Sequence, residues 1–216
     1  MKRLLEIVYP SFHHLNRSIV VNEDTYDSDF TVTDWKACTD CQNNTPYFYN
    51  QCYHQEVLKV STTKEIKLIS LENYFQQFSD KKEIVSGNTC DYLLYGQNKI
   101  EFTDLTCIRP NYIDSHIVEG KHKEGKRAQV FKQIKDSITR LSVCPEISEQ
   151  IASYNEKVAL FALRKKEFAF DHLDEGLKPM VSFMRMTNEQ TKLGIAQQME
   201  YGFKFITNEY PKSYQW

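Results

Sequence analysis

Glycine is scarce. The seven glycines stand at 87, 96, 120, 125, 176, 194 and 202 of 216 residues. No GxGxxG can be assembled from them, which removes the dinucleotide-binding fingerprint. Long apolar runs are absent too: the longest beyond the N-terminus, Val158–Leu163, falls far short of the ~20 residues of a membrane span. Neither sign of charge dominates, with 27 Lys and Arg against 29 Asp and Glu and a net charge of -2. Any surface for nucleic acid must therefore be a local patch. The opening Met1–Pro10 lacks signal-peptide form, because Glu6 breaks the apolar run and no small-residue cleavage site follows. The expected address is the cytoplasm, without a membrane partner. There, six cysteines read as thiols or metal ligands before they read as disulfides. No Ser/His/Asp arrangement is available either, since His116, His122 and His172 carry no motif around them.

What is present suits an ordinary globular chain of one domain or two small ones: 41% hydrophobic and 26% charged residues. Residues 1–64 read as an irregular β-rich extension. Leu4–Ile7, Ser18–Val21 and Asp29–Thr33 are its strand candidates, divided by turns such as Asn22–Ser28. Residues 65–165 read as the core. Ser70 fits an N-cap ahead of Leu71, Tyr74, Phe75 and Phe78 at helical spacing. Cys90–Tyr95, a Gly-Gln-Asn turn and Lys99–Ile108 then predict a β-hairpin. A charged loop to Glu124 leads into a helix over 126–141, with Val130, Ile134, Ile138 and Leu141 on its apolar face. Val158–Leu163 is a further strand. Residues 166–216 supply a strand candidate at Met180–Met184, a helix from the capping box Thr187–Gln190 to about Tyr201, and a last strand at Phe203–Thr207. Alternating strands and helices make the fold class α/β with a mixed sheet flanked by helices.

The hairpin carries the chemistry. Asp91 opens one strand and Asp104 lies late in its neighbour, and a three-residue turn sets the two strands side by side about 5 Å apart. Period two puts Phe102, Asp104 and Thr106 on one face and Glu101, Thr103 and Leu105 on the other. Two carboxylates facing one side can hold a hard cation such as Mg²⁺ or Mn²⁺. From spacing alone, polar strand ends are the commoner use of such a pair.

Cys90–Tyr95, Lys-Ile-Glu-Phe-Thr-Asp-Leu-Thr at 99–106 and the helix bearing Gln133-Ile-Lys-Asp-Ser-Ile138 together resemble the core of the PD-(D/E)xK nuclease superfamily. The resemblance implies a restriction-endonuclease-like fold: a helix, a hairpin carrying an acid and then (D/E)xK, a crossing helix and a further strand. It implies metal-dependent phosphodiester hydrolysis with nucleic acid as partner, DNA favoured over RNA. Asp91 matches the first acid and Asp104 the (D/E) position; both would bind Mg²⁺ or Mn²⁺. Gln133 matches a glutamine of the following helix, and Glu72 stands on the helix where some members place an extra acid. Thr106 departs from the pattern, since the family has lysine there to orient water and steady charge on the phosphate. Either a lysine reaches in from elsewhere, with Lys126, Lys121 and Lys123 nearest in sequence, or the chain is a non-catalytic scaffold that keeps the fold and binds nucleic acid or protein.

Two other segments stand out. Residues 121–135 hold Lys121, Lys123, Lys126, Arg127, Lys132 and Lys135 against the single acid Glu124. This stretch is either a phosphate-facing patch or a solvated helix face. Gly120–Arg127 approaches a P-loop but ends in Arg127 where Ser or Thr would hold the magnesium. Cys38, Cys41, Cys52 and His54 offer four soft ligands within 17 positions. They read as a structural zinc site or as free thiols.

Overall fold

The computed structural model describes residues 1–33, 56–108, 112–118, 121–165 and 197–216. The expected zinc ligands Cys38, Cys41, Cys52 and His54, and the elements expected within 166–196, lie outside the described residues.

A π-helical turn at Leu4–Val8 runs into α1 (Tyr9–Phe12), followed by β1 (Glu23–Tyr26), β2 (Phe30–Thr33), β3 (Glu56–Ser61) and β4 (Ile66–Ser70). Next come α2 (Leu71–Gln76), α3 (Lys82–Val85), β5 (Tyr92–Tyr95), β6 (Lys99–Ile108), β7 (His116–Val118) and β8 (Lys121–Lys123). The chain continues through α4 (Lys126–Ser142), α5 (Pro145–Ala152), β9 (Glu156–Lys165), β10 (Gln197–Gln198), β11 (Lys204–Glu209) and β12 (Ser213–Gln215). The main sheet is seven-stranded and mixed, in the order β1-β4-β5-β6-β9-β11-β10. β6, β9 and β11 run parallel, and the remaining neighbours are antiparallel.

Side-chain alternation on the central strands gives the sheet two buried faces. Ile100 and Phe102 of β6, Ala159, Phe161 and Leu163 of β9, and Phe205 of β11 pack with the helices, against Val130, Ile134, Ile138 and Leu141 of α4. Leu105, Val158, Leu160 and Ala162 turn the other way, onto a three-stranded sheet of order β12-β3-β2 that brings Phe30, Val57, Leu58 and Tyr214. A strand buried on both faces needs near-continuous apolar sequence, and β9 supplies it. β6 instead buries Lys99, Glu101, Thr103, Asp104 and Thr106 among its apolar residues.

The α/β class, the hairpin and the helix from Lys126 emerge as the sequence predicts, and the Ser70 hydroxyl caps α2 by accepting from the Asn73 amide at 3.4 Å. The N-terminus differs. Leu4–Ile7 is helical rather than extended, because Leu5 and Tyr9, four apart on one face, are both wholly buried beside Tyr74, Phe75 and Phe78. Part of the expected Asn22–Ser28 turn is β1, which adds an edge to the main sheet, and no strand forms at Ser18–Val21. The expected loop before α4 contains the β7–β8 hairpin, so the near-P-loop is part strand. The helix expected to reach Tyr201 is replaced at its end by β10 and a single 3-10 turn at Glu200–Gly202. Among the described residues, no helix is long and apolar enough to cross a membrane.

Candidate functional site on the helix face of the sheet

The β5–β6 register pairs Tyr92 with Thr103, so one step further sets Asp91 against Asp104. Both point to the helix face, because Tyr92 and Leu94 face the small sheet while Leu93 and Phe102 face the helices. Asp91 holds its place by accepting the Leu105 amide on Oδ2 at 2.7 Å, and its own carbonyl accepts the Leu71 amide at the start of α2 at 2.9 Å. Glu72 therefore begins the helix joined to Asp91, in its first turn. Asp104 is only 2% exposed, and its Oδ1 accepts the Thr106 hydroxyl at 3.3 Å. Burial pushes the neighbouring Cys90 thiol well above its ordinary range, and the negative charges of Asp104 and Asp91 add to that rise.

α4 lies across this pair and turns two different stripes inward. One is the apolar row at 130, 134, 138 and 141. The other is polar: Lys126, Gln133, Ser137 and Arg140, spaced seven, four and three apart, which keeps them on one side of the helix. Lys126 Nζ donates to Gln133 Oε1 at 3.4 Å, and Gln133 Nε2 donates to the Thr89 carbonyl at 3.5 Å. The Ser137 hydroxyl accepts the Cys90 amide at 2.9 Å. Arg140 donates to the Thr89 hydroxyl at 2.8 Å and to the carbonyls of Ser86 at 2.9 Å and Asn88 at 3.1 Å, with its guanidinium over Phe75. The segment leading into Asp91 is thus stitched to α4. Gln133 and Lys126 come to the side of the sheet that carries Asp91.

The parallel registers continue the row. Asp104 pairs with Phe161 of β9, and Phe161 pairs with Thr207 of β11. Asp91, Asp104, Phe161 and Thr207 therefore stand abreast on one face, the last about 10 Å from Asp104 at the usual strand spacing. Arg127 lies over the Phe161 ring at 5.8 Å. Its guanidinium donates to Thr207 Oγ1 at 2.6 Å and to Asp114 Oδ1 at 3.1 Å. Sequence reading counted Arg127 only as part of a basic run, and missed Ser137 and Arg140. The seven-four-three spacing from Lys126 was the available signal for the latter pair. Nothing local foretold that Arg127 would cover the row, because Phe161 and Thr207 arrive from distant strands.

The basic run does not act as one patch. Arg127 is paired with Asp114 and Lys135 with Glu200 at 2.7 Å, whereas Lys121, Lys123 and Lys132 are exposed. Lys99, as its parity requires, faces the other side, within a buried cluster of Glu101 and Tyr214. The cysteines outside the 38–52 segment follow their apolar surroundings: Cys90 and Cys144 are buried, and Cys107 is partly so.

A metal fits this donor set in one mode. Among the described residues there is no group of three or more His, Cys, Asp and Glu side chains able to hold an ion, so an all-protein cage is not formed here. Two carboxylates offering oxygen are, however, how Mg²⁺ is commonly held, with water and substrate phosphate completing its shell. No family model matches the chain, and no curated protein or solved structure matches it.

Proposed function

We propose that the chain is a metal-dependent nuclease-like protein of the PD-(D/E)xK kind, acting on the phosphodiester backbone of nucleic acid, DNA before RNA. The observation that carries this reading is the Tyr92–Thr103 register, whose continuation by one step sets Asp91, just ahead of β5, against Asp104 on the side of the sheet where Lys126 bonds Gln133. Side-by-side carboxylates favour a cation between them or a shared proton. The order of α2, hairpin, crossing helix α4 and parallel strand β9 supports the restriction-endonuclease-like arrangement.

Asp91 and Asp104 would hold Mg²⁺ or Mn²⁺, and such an ion would supply Lewis acidity toward a phosphate and a water. The Leu105 amide fixes one Asp91 oxygen, Oδ2, by donating to it at 2.7 Å. Thr106 orients Asp104 through its hydroxyl and carries no charge. Lys126 supplies the missing positive charge from α4, steadied by Gln133. Placing that ammonium on a helix instead of the strand keeps the electrostatic stabilisation of the phosphate while changing its origin.

Incubating the chain with DNA and RNA in Mg²⁺ or Mn²⁺ tests this. Asp104→Asn and Lys126→Gln are expected to lower cleavage by two orders of magnitude or more, in keeping with the loss of about 3 kcal/mol of transition-state stabilisation. Wild-type protein that leaves both nucleic acids intact yet binds them with steep salt dependence would establish the non-catalytic scaffold instead, consistent with Thr106 in the lysine position.

A further inference from the structure

Asp91 lies outside the ladder that supports the hairpin, because β5 begins one residue later at Tyr92. Residues 86–91 have no regular structure, so sheet pairing reaches the main chain of Asp91 from its C-terminal side only. The 2.7 Å bond from the Leu105 amide to the carboxylate depends on where that main chain lies. On the N-terminal side the hold comes from α4, and Arg140 supplies most of it. Its Nη2 donates to the carbonyls of Ser86 and Asn88, and its Nη1 to the Thr89 hydroxyl. The chain turns beneath this fork at Gly87, with φ +97, where a Cβ would come within 3.2 Å of Nη2. The same guanidinium lies over the Phe75 ring at 4.5 Å. Phe75 belongs to α2, whose Leu71 amide donates to the Asp91 carbonyl at 2.9 Å. Arg140 thus touches both segments that abut the Asp91 main chain.

We infer that Arg140 is a positioning residue for Asp91: by clamping residues 86–89 to α4 it holds that carboxylate against Asp104, and so sets the affinity of the pair for a divalent cation. The inference rests on the metal-dependent reading and names a determinant of that site outside the carboxylates themselves. Arginine suits the task, since its planar fork serves three acceptors at once and stays charged. Ser86, Gly87 and Asn88 are exposed, so without the fork water takes up the freed carbonyls. The segment then leaves α4 while the fold persists, and Asp91 loses its fixed approach to the cation. Partners that orient ligating carboxylates commonly govern metal affinity in this way.

Mn²⁺ alone, titrated into the full chain and followed by loss of the free-ion EPR signal, tests this without any nucleic acid. Arg140→Gln is expected to weaken Mn²⁺ binding about tenfold or more. Thr89→Val keeps the side-chain shape and removes one bond of the clamp, so it should weaken binding by a smaller factor. Thr89→Ser, which restores the hydroxyl, should bind as wild type does. Val60→Ala, in β3 of the small sheet, lowers the urea midpoint through a core cavity but should leave Mn²⁺ affinity unchanged. Each titration is run where urea melts show the variant folded; should Arg140→Gln fail to fold, Thr89→Val decides. Wild-type affinity in Thr89→Val and in folded Arg140→Gln would overturn the positioning role, as would an equal loss in Val60→Ala. Wild-type protein that takes up no Mn²⁺, or an Asp104→Asn variant that binds it as tightly, would overturn the metal-dependent reading and the inference with it.

Discussion

Glu101 shows how much a single residue's role depends on partners far away in the chain. Its parity on β6 was plain from the sequence, since alternate residues take opposite faces. Its complete burial was not. The carboxylate accepts the Tyr214 hydroxyl at 2.6 Å and the Thr103 hydroxyl at 2.8 Å, with Lys99 at 3.9 Å, and Lys99 in turn reaches Tyr214 at 2.8 Å and Glu156 at 3.2 Å. Tyr214 arrives on β12, 113 positions later, which no local pattern could announce. Burial raises the pKa of Glu101 above its ordinary 4.5, against the opposing pull of Lys99 and the two hydroxyls. The folded chain therefore holds this proton to higher pH than the unfolded chain does. Stability from that difference is present below about 4.5 and is lost as pH rises through the folded value. Glu101→Gln removes the titration. Urea midpoints measured from about pH 4 to about pH 8 should drift in favour of the variant as pH increases; parallel profiles for the two proteins would contradict the assigned direction.

At the scale of elements, α4 was legible almost to the residue, because its apolar row has an unbroken helical period and Gly125 precedes it. The N-terminal turns were not. Leu4, Leu5, Val8 and Tyr9 have helical spacing, but the β-branched Ile7 and Val8 mimic a short strand. Only the pocket lined by Tyr74, Phe75 and Phe78 decides between them. The first turn of α4 also depends on Gly125 in a way that its backbone angles do not reveal. The residue has an ordinary extended conformation, φ -79 and ψ 163, so space alone excludes a side chain there. Gly125→Ala must push the helix start away from Asp114, moving Lys126 and Arg127 together. The expected outcome is a loss of roughly 1–3 kcal/mol in stability from overpacking, with cleavage or binding reduced by more than the unfolded fraction explains. Normal activity per folded molecule, measured alongside denaturant titration, would show that the turn adapts without shifting its cations.

Across the whole molecule, the site is a meeting of one local unit with several remote ones. Asp91 and Asp104 were readable because the hairpin that joins them is contiguous. Phe161, Thr207, Arg127 and the segment held by Arg140 meet only through the parallel β6–β9–β11 order, and parallel pairing leaves no adjacent-sequence signature. If the carboxylate pair takes a divalent ion, binding to the folded state alone must raise the apparent Tm as metal concentration rises. Mg²⁺ or Mn²⁺ titration should therefore shift wild type upward and leave Asp104→Asn nearly unmoved; equal shifts in both proteins would place the ion elsewhere.

The contrast between the Gly96–Asn98 turn and the α4–α5 crossover bears on how the chain comes to be folded. Closing a three-residue turn costs little chain entropy, whereas bringing β9 alongside β6 requires looping out both helices. Loop-closure entropy alone therefore predicts that the two carboxylates meet before the helix bearing Lys126 docks, and a folding rate that rises with added salt, measured alongside Asp104→Asn, would check that order.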